Sequence, residues 1–372
     1  MRFIIFTHSL VSDWNHGNAH FQRGIASELV RRGHEVRILE PAGGWSREHL
    51  ISEYGEQAIS DFAAAYPLIR SELYREDQLD LDTVLQAADI VLVHEWNTHA
   101  LVARIGQYRA MHPPLRAYFH DTHHRAATDP ASMSGYDLRH YDGVFAYGKV
   151  IADLYRANGW AEAVWVWHEA ADTAVFHPIR NGATREGDLV WIGNWGDNER
   201  TQELREFLIA PVRALGLRAR VYGVRYPAYA LDELRSAGIE YGGWLPNYKA
   251  PEVFARYRVT VHIPRRPYSR ALPGIPTIRP FEAMACGIPL ISAPWQDTEN
   301  LFHAGRDYLL AQDGAEMTTH LRRVLGNPEA ARELSRRGME TIEARHTCAH
   351  RVDELLEIVG AQRQGVSARG AA

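Results

Sequence analysis

The feature that most constrains the fold is an alternation of short apolar runs with amphipathic segments, which occurs twice along the chain. Residues 2–6 form a continuous apolar run, and a polar loop and a segment with Phe21, Ile25 and Leu29 at four-residue spacing follow it. Such runs are typical of strands buried in a parallel sheet, and four-residue spacing is typical of helices. The order recurs up to residue 167, which predicts a domain built from βαβ units.

A second series of the same kind follows a break. Residues 180–187 are polar, contain glycine and lack apolar periodicity, so they are predicted to be a linker. Strand and helix patterns then alternate up to residue 292, and helical patterns follow over 313–325, 328–345 and 348–358. We therefore predict two Rossmann-like α/β domains, 1–178 and 179–345, with a C-terminal helix and frayed tail over 346–372. Ligands of such domains bind beyond the carboxyl ends of the strands, so the loops after strands are the candidate sites.

Composition narrows the class of protein. A chain of 372 residues, 46% hydrophobic and 23% charged, fits two globular domains and excludes wholesale disorder. Two cysteines, Cys286 and Cys348, exclude a disulfide scaffold and indicate a reducing cytoplasm. No apolar run approaches the roughly 18–20 residues that span a bilayer, and the N-terminal run is too short for a signal peptide. We expect a cytoplasmic protein with no integral membrane segment.

The charge differs between the two predicted domains. Residues 1–178 carry 15 basic and 23 acidic residues, a net charge of −8, whereas residues 179–372 carry 26 basic and 23 acidic residues, a net charge of +3. Fourteen of the 19 histidines lie in the first part. Neither part is basic enough for a nucleic-acid-binding surface, so no nucleic-acid partner is predicted.

The most specific segment lies in the second domain, from Ile278 to Pro289. Pro280 fits the first turn of a helix and Gly287 fits its end, with Phe281 and Glu282 between them. The N–H groups of such a helix can hold phosphate, and a carboxylate nearby can accept hydrogen bonds from the hydroxyls of a ribose. The pattern equally fits a capped amphipathic helix in which Glu282 complements the helix dipole.

Arginines and glycines surround this segment. Five arginines occur between residues 258 and 279, and of these Arg266 and Arg279 are the preferred phosphate ligands because a guanidinium binds phosphate bidentately. A glycine-containing loop, residues 193–196, follows the first predicted strand of the second domain, and its glycines let the backbone approach a pyrophosphate. Arg200 follows this loop at the start of the next predicted helix. A second Gly-containing loop, residues 241–245, offers a surface for a base. The candidate residues in these two loops are Gly193, Asn194, Trp195, Trp244 and Leu245.

Polar loops also follow strands in the first domain. His16, Gly17 and Asn18 open the first helix and suit an anion or a sugar hydroxyl, and His94 and Glu95 follow a later strand. Residues 120–124 contain three histidines and an aspartate, but their spacing matches no standard zinc site, so no metal is predicted. His120, at the strand end, is expected to face the cleft.

The order of these segments resembles the GT-B glycosyltransferases, in which two Rossmann-like domains face each other across a cleft. Within them it resembles the retaining group 1 enzymes, and more narrowly the CgeB-like branch. The resemblance rests on the helix from His16 to Val36, on the spacing of Asp172, Phe176 and Pro178, on Phe281–Pro289, and on the C-terminal helix near His346-Thr347, which in this fold crosses back to the first domain.

The resemblance implies roles for the candidate residues. Glu282 would bind the donor ribose, while Gly193 and the helix near Arg279 would bind the diphosphate. His120 would lie near the transferred sugar, with the acceptor in the first domain and no metal or other cofactor required. The family often has a second glutamate eight residues before the ribose glutamate, and that position is Gly274 here. The usual phosphate-binding lysine is also missing, and Arg200 or Arg266 would replace it.

The sequence thus predicts a metal-independent glycosyltransferase that moves a sugar, with retention, from a nucleotide-diphosphate sugar to an unknown acceptor. A UDP-sugar is the preferred donor. Two alternatives stay open: a sugar-nucleotide epimerase of the same fold, and a nucleotide-sugar-binding protein without activity. A dinucleotide-dependent dehydrogenase is disfavoured because neither domain has the glycine fingerprint with its downstream acidic residue.

Overall fold

The computed structural model describes residues 1–15, 17–179, 184–196 and 198–369, with only the helical backbone over 363–369. The candidate residue His16 and the linker positions 180–183 lie outside the described residues. The rest of the chain forms two parallel sheets that are flanked by helices, as the alternating pattern predicts.

The first domain is built on a sheet with strand order β3-β2-β1-β4-β5-β6-β7. Its strands are β1 (Arg2–Phe6), β2 (Glu35–Pro41), β3 (Ser71–Tyr74), β4 (Ile90–His94), β5 (Arg116–Asp121), β6 (Gly143–Ala146) and β7 (Val164–Val166). Its helices are α1 (Ala19–Arg31), α2 (Trp45–Tyr54), α3 (Gln57–Ala65), α4 (Leu81–Leu85), α5 (His99–Met111), α6 (Arg125–Thr128), α7 (Pro130–Ser134) and α8 (Lys149–Ala157), with a 3-10 turn at Glu76–Gln78.

The second domain repeats this plan with strand order β10-β9-β8-β11-β12-β13. Its strands are β8 (Leu189–Ile192), β9 (Ala219–Tyr222), β10 (Ile239–Tyr241), β11 (Val259–His262), β12 (Leu290–Ser292) and β13 (Leu309–Leu310). Its helices are α9 (Thr201–Leu204), α10 (Ala210–Leu215), α11 (Ala228–Ser236), α12 (Ala250–Phe254), α13 (Arg266–Ala271), α14 (Ile278–Ala285), α15 (Gly314–Gly326) and α16 (Pro328–Arg345). A π-helical turn at Arg205–Ile209 joins α9 to α10, and a 3-10 turn occupies Asn247–Lys249.

The strand order determines where ligands can bind. β1 pairs with both β2 and β4, and β8 pairs with both β9 and β11, so the direction of winding reverses beside β1 and beside β8. Apolar residues on both faces bury these strands, and Phe3, Ile4 and Phe6 have no exposed surface. In open parallel sheets the crevice outside such a reversal point holds the ligand. Each domain therefore contributes the loops that follow its central strands.

Two short edge strands were not predicted from the sequence, β13 (Leu309–Leu310), which pairs with β12, and β3. The sequence predicts that residues 46–88 are helical, but Ser71–Tyr74 pair with β2 as the edge strand β3. An edge strand of this composition is half exposed and lacks an apolar run, so no periodicity marks it. Pairing with β2 determines its conformation.

The C-terminal helix α17 (Cys348–Arg369) returns to the first domain, as predicted. The Arg32 Nη2 donates to the carbonyl of Ala349 at 3.0 Å, and the indole N–H of Trp167 donates to the carbonyl of Arg351 at 2.9 Å. The helix extends past the predicted end at residue 358. There the Tyr118 hydroxyl bonds Gln362 Oε1 at 2.6 Å, a tertiary contact that the helical pattern of the sequence does not reveal.

Candidate functional site

Two connected cavities lie between the domains at the carboxyl ends of the central strands. The small cavity, of about 210 Å³, lies between Gly193, Trp244 and Arg279, and the large cavity, of about 750 Å³, lies between Trp96, His124 and Glu169. Their shared wall is formed by Asn15, Gly17, Asn194, Arg200, Arg265, Tyr268, Thr277 and Ile278. A ligand that fills the small cavity can therefore extend into the large one.

The N-terminus of α14 points its first turn at the small cavity. Thr277 occupies the N-cap position with φ 66°, and its side chain forms no capping hydrogen bond to the helix. Thr277, Ile278 and Arg279 all line the cavity. A β-branched residue at positive φ is strained, by about 1–3 kcal/mol, and such strain concentrates at ligand sites. The uncapped N–H groups and the helix dipole make this end of the cavity suited to an anion.

Three arginines line the same cavity. Arg265 pairs with Glu199, Arg279 pairs with Glu282, and the Arg200 Nη1 donates to the carbonyl of Ile263 at 2.9 Å. Burial and the neighbouring Arg265 lower the pKa of Arg200 to about 10, so its guanidinium stays protonated at neutral pH. An anion in the cavity would offset the repulsion between these cations.

Glu282 lies beneath the small cavity and is fully buried. Its Oε1 accepts a hydrogen bond from Asn247 Nδ2 at 2.7 Å and lies 3.1 Å from His20 Nδ1, while its Oε2 contacts Arg279. Burial raises the pKa of Glu282, but Arg279, His20 and Asn247 together hold it below its ordinary value. The carboxylate thus links α1 of the first domain to two residues that line the cavity.

Glycines let the loops after β8 and β9 approach each other. A Cβ on Gly223 would lie 2.2 Å from the carbonyl oxygen of Gly193, and a Cβ on Gly193 would lie 2.7 Å from the Trp191 ring. Asn194 joins this region to both domains, because its Oδ1 accepts from the Val224 N–H at 2.8 Å and its Nδ2 contacts Asn15. Any side chain at residue 193 or 223 would displace this wall.

The far end of the small cavity is closed across the domain interface by Asp13. Its carboxylate accepts from the Trp244 indole at 3.0 Å, from the Asn247 N–H at 3.0 Å, and from Arg23 at 2.9 Å. The Leu245 side chain completes the apolar lining there. This end offers the aromatic and apolar surface of Trp244 and Leu245 beside an Asp13 carboxylate whose charge is paired with Arg23.

The large cavity has an aromatic and imidazole-rich lining. Trp45 and Trp96 are partly exposed at its edge, and Thr122 and His124 line its first-domain side. Burial, and to a smaller extent the positive charge of Arg265, lower the pKa of His124 to about 4, so the ring is neutral at pH 7. Glu169 lines the cavity from the segment that joins the two domains. Its burial, and to a smaller extent the charge of Glu282, raise its pKa to about 8, and the charge of Arg279 opposes this shift.

Most of the predicted residues come together in these cavities. The small cavity is lined by Gly17, Gly193, Asn194, Arg200, Trp244, Leu245, Ile278 and Arg279, and the large cavity by Gly17, Asn18, Asn194, Arg200 and Ile278. These residues follow β1, β8 and β10 or begin α14. The rule that loops after parallel strands form the site therefore identified them.

Three predicted residues of the first domain lie elsewhere. His120 lines a separate apolar cavity of about 20 Å³ with Phe21 and Trp167, and burial lowers its pKa to about 3. His94 lines that same cavity, and its Nε2 lies 2.9 Å from Thr122 Oγ1. Glu95 is fully buried and accepts from the Thr122 N–H at 3.1 Å. His94 and His120 face Phe21 and Gln22 of α1, which covers this side of the sheet, and Glu95 lies in the loop after β4.

Five predicted residues of the second domain also do not line a cavity. Trp195 and Phe281 are core residues with 1% exposure, and Glu282 lies beneath the cavity as described. Arg266 is held by Glu203 at 3.0 Å and by the Asn198 carbonyl at 2.7 Å. Gly274, at φ 94°, packs where a Cβ would lie 2.5 Å from Glu299 Oε1. Its lack of a side chain is a packing requirement of the loop.

The sequence analysis missed residues that only the tertiary structure brings to the site. Arg265 lines both cavities, although its neighbour Arg266 was preferred, and the direction in which each side chain leaves the loop after β11 determines which one faces inward. Asp13, Asn247 and Glu169 carry no motif. One signal was available, since Asp13 follows the first strand in the same polar loop as Gly17.

The described residues contain no cluster of three or more His, Cys, Asp or Glu side chains arranged to hold a metal ion. Nor does any helix in the described ranges have the length and apolar character needed to cross a membrane. Both cysteines are buried free thiols.

Comparisons with known proteins agree with this architecture. Residues 19–175 match the family model described as Glycosyltransferase Family 4, and residues 200–357 match the model described as Glycosyl transferase-like. Comparison with curated protein sequences gives no match.

Solved structures of the same fold cover nearly the whole chain. Sucrose-phosphate synthase from Thermosynechococcus elongatus has a TM-score of 0.66 at 14% identity, with 99% of this chain and 100% of that one covered. The Anabaena protein HepE, in complex with UDP and glucose, has a TM-score of 0.67 at 14% identity, with 97% and 100% covered. An α-glucosyltransferase in complex with UDP and a 13-mer DNA has a TM-score of 0.68 at 11% identity, with 97% and 100% covered.

These structural likenesses show the fold, and the family matches account for both domains. The paired cavities lie where the two sheets face each other, in the cleft that the resemblance implies. The chain has the GT-B fold, and each of its two domains matches a glycosyltransferase family model.

Proposed function

We propose that the protein transfers a hexose from a UDP-sugar, bound in the small cavity, to an acceptor bound in the large cavity. The observation that carries this proposal is the junction of the two cavities. There the uncapped N-terminus of α14 and the guanidinium groups of Arg200, Arg265 and Arg279 converge on one space. A diphosphate is the anion that such a cluster fits, since each arginine can bind phosphate bidentately.

The rest of the donor follows from this position of the diphosphate. The nucleoside would extend past Gly193 to the Trp244 and Leu245 end, where an aromatic and apolar surface suits a base. When the donor binds, Arg279 would turn from Glu282 to the phosphates, which leaves Glu282 Oε2 to accept from a ribose hydroxyl. Structures of similar fold in complex with UDP favour uracil over other bases.

The arrangement supplies the main requirement of glycosyl transfer, which is stabilisation of the leaving diphosphate. Negative charge grows on its oxygen as the bond to the sugar breaks, and preorganised cations and N–H groups there contribute several kcal/mol. Because protein cations can neutralise that charge, we propose a metal-independent reaction. Retention of the anomeric configuration is proposed from the resemblance to the retaining group.

The large cavity favours transfer over the alternatives. A sugar-nucleotide epimerase requires no acceptor, whereas this second cavity continues from the diphosphate site and has Trp45 and Trp96 at its edge. Aromatic rings of this kind suit a saccharide or an aromatic small molecule. The first domain carries 15 basic and 23 acidic residues, which disfavours a nucleic-acid acceptor.

Calorimetric titration of UDP, GDP, ADP and TDP into the wild-type protein tests the donor assignment. We expect UDP to bind most tightly. Incubation of UDP-glucose and UDP-N-acetylglucosamine without acceptor then tests the alternatives, since an epimerase converts its substrate and a transferase gives at most slow hydrolysis. A protein that binds none of the four nucleotides would contradict the proposal.

A further inference from the structure

Glu169 is an acidic side chain that the donor site described above does not use. It follows β7 on the segment that joins the two domains, and its side chain lines the large cavity with 7% of its surface exposed. Among the described residues that line this cavity, it is the one that carries a carboxyl group. The small cavity has Asp13, whose oxygens are already bonded to Arg23, Trp244 and Asn247.

Glu169 differs from the other buried acidic residues in its bonding. Among the described residues, Glu40, Glu95, Asp121, Asp172, Glu282 and Asp307 each accept at least one hydrogen bond from the protein. The carboxyl of Glu169 forms no hydrogen bond or ion pair with any described residue. The hydrogen-bonding capacity of this carboxyl is therefore free and directed at the large cavity, where a ligand can supply the partner.

The position of Glu169 indicates which part of a ligand it meets. Its carboxyl is close enough to Glu282 and Arg279 on α14 for their charges to shift its pKa, and Tyr147 and Tyr268 line the same cavity. Arg279 lines the small cavity and Tyr268 lines both cavities. Glu169 therefore lies on the large-cavity side of the diphosphate position, where the group attached to the second phosphate would extend.

We propose that Glu169 binds a hydroxyl group of the transferred hexose and so contributes to selection of the donor sugar. This inference rests on the proposed function, because it needs a nucleotide-diphosphate sugar in the small cavity. A carboxylate accepts hydrogen bonds from hydroxyl groups, and a protonated carboxyl also donates one. Gly274 carries no side chain and packs against Glu299, so the loop before α14 supplies no carboxyl to this position.

The charges around Glu169 keep both protonation states available near neutral pH. Burial and the charge of Glu282 raise its pKa to about 8, and Arg279 opposes this shift. Tyr147 and Tyr268 also face it, but burial holds the pKa of each phenol well above its ordinary value, so both stay neutral. A neutral carboxyl beside the diphosphate avoids repulsion of the phosphates, and it suits a neutral sugar better than a second anion.

Calorimetry with the whole protein separates binding of the sugar from binding of the nucleotide. UDP, UDP-glucose and UDP-N-acetylglucosamine are titrated into the wild type, Glu169→Ala, Glu169→Gln and the control Glu203→Gln, whose carboxylate pairs with Arg266 outside both cavities. We expect Glu169→Ala to weaken binding of both UDP-sugars by about threefold to tenfold, the range for a hydrogen bond to a neutral group. Binding of UDP should stay within twofold of the wild type.

Deoxy analogues of UDP-glucose identify the contact. The effect of Glu169→Ala should disappear with the one analogue that lacks the bonded hydroxyl, and remain with the others. Equal weakening of UDP and UDP-glucose, or unchanged binding of both UDP-sugars, would overturn the inference. Glu169→Gln can still bond a hydroxyl through its amide, so it should bind the UDP-sugars nearly as well as the wild type. Glu169→Leu, which is similar in volume and forms no hydrogen bond, gives the same test as the alanine variant if that variant does not fold. A wild type that binds no UDP contradicts the proposed function instead, so the two failures are distinguishable.

Discussion

Replacement of Glu282 by alanine should destabilise the protein and weaken nucleotide binding together. The carboxylate is fully buried and is shared by Asn247, His20 and Arg279. Removing one partner of a buried ion pair costs about 3–5 kcal/mol, because the other charge is left unpaired in a medium of low polarity. A domain of this size loses roughly 2–4 °C of Tm per kcal/mol, so we expect Tm to fall by about 6–20 °C.

The pH dependence gives the same argument a second test. Arg279, His20 and Asn247 hold the pKa of Glu282 below its ordinary value of 4.5 in the folded protein, despite the opposing effect of burial. The contribution of the Glu282 carboxylate to the free energy of unfolding is therefore complete above the pKa of Glu282 in the unfolded chain. It is lost as the pH falls through the lower pKa of Glu282 in the folded protein. The difference in Tm between the wild type and Glu282→Gln should be constant above about pH 6 and shrink at lower pH.

Thermal unfolding followed by tryptophan fluorescence measures the stability, and titration calorimetry measures binding of UDP. Glu282→Gln is the matched variant, since its amide oxygen can still accept from Asn247 and only the charge is lost. We expect a smaller fall in Tm for Glu282→Gln than for Glu282→Ala. UDP affinity should drop by about 2–4 kcal/mol in the alanine variant. A Tm within 2 °C of the wild type, or a difference that grows at low pH, would refute the reasoning.

Other predictions follow from the same contacts. Arg265→Ala should weaken UDP binding by about tenfold or more, as expected for the loss of a charged phosphate contact. Arg266→Ala should bind UDP like the wild type, because the Arg266 guanidinium is held by Glu203. Equal effects of the two substitutions in calorimetry would contradict the placement of the two side chains. The folded-state pKa of Glu169, about 8 against an ordinary 4.5, means that the unfolded chain loses this proton first. Glu169→Gln should therefore gain stability over the wild type as pH rises from about 5 to 8, by on the order of 4 kcal/mol, and a constant difference across that window in urea unfolding would count against it. Turnover of a UDP-sugar should be unchanged by EDTA, and loss of activity that a divalent ion restores would overturn metal independence.

The elements and the general position of the site were predictable because both depend on local patterns. Apolar runs such as residues 2–6 form the buried strands, and the loops after them contain Gly193 and Arg200, which line the small cavity. Topology then brings these loops to one edge without further information from the sequence. Residues of the edge strand β3 were missed because an exposed edge strand needs no apolar run.

The direction of individual side chains was not predictable. Arg265 and Arg266 are adjacent in sequence, yet one lines both cavities and the other pairs with Glu203. His120 has the chemistry of a catalytic residue but points into a small apolar cavity between α1 and the sheet. Glu169 belongs to no motif, and its significance appears only when the partners of every buried carboxylate are compared. Such distinctions depend on tertiary packing and on backbone angles, which no spacing rule determines.

A crystal structure of the protein with UDP tests the central claim most directly. The claim is that the cavity between Gly193, Trp244 and Arg279 holds the nucleotide, with the diphosphate at the N-terminus of α14. We predict density for the phosphates within hydrogen-bond distance of the Ile278 N–H and the guanidinium groups of Arg200 and Arg265, with uracil toward Trp244. Density for UDP at any other place in the molecule, or an empty cavity at saturating UDP, would contradict the account.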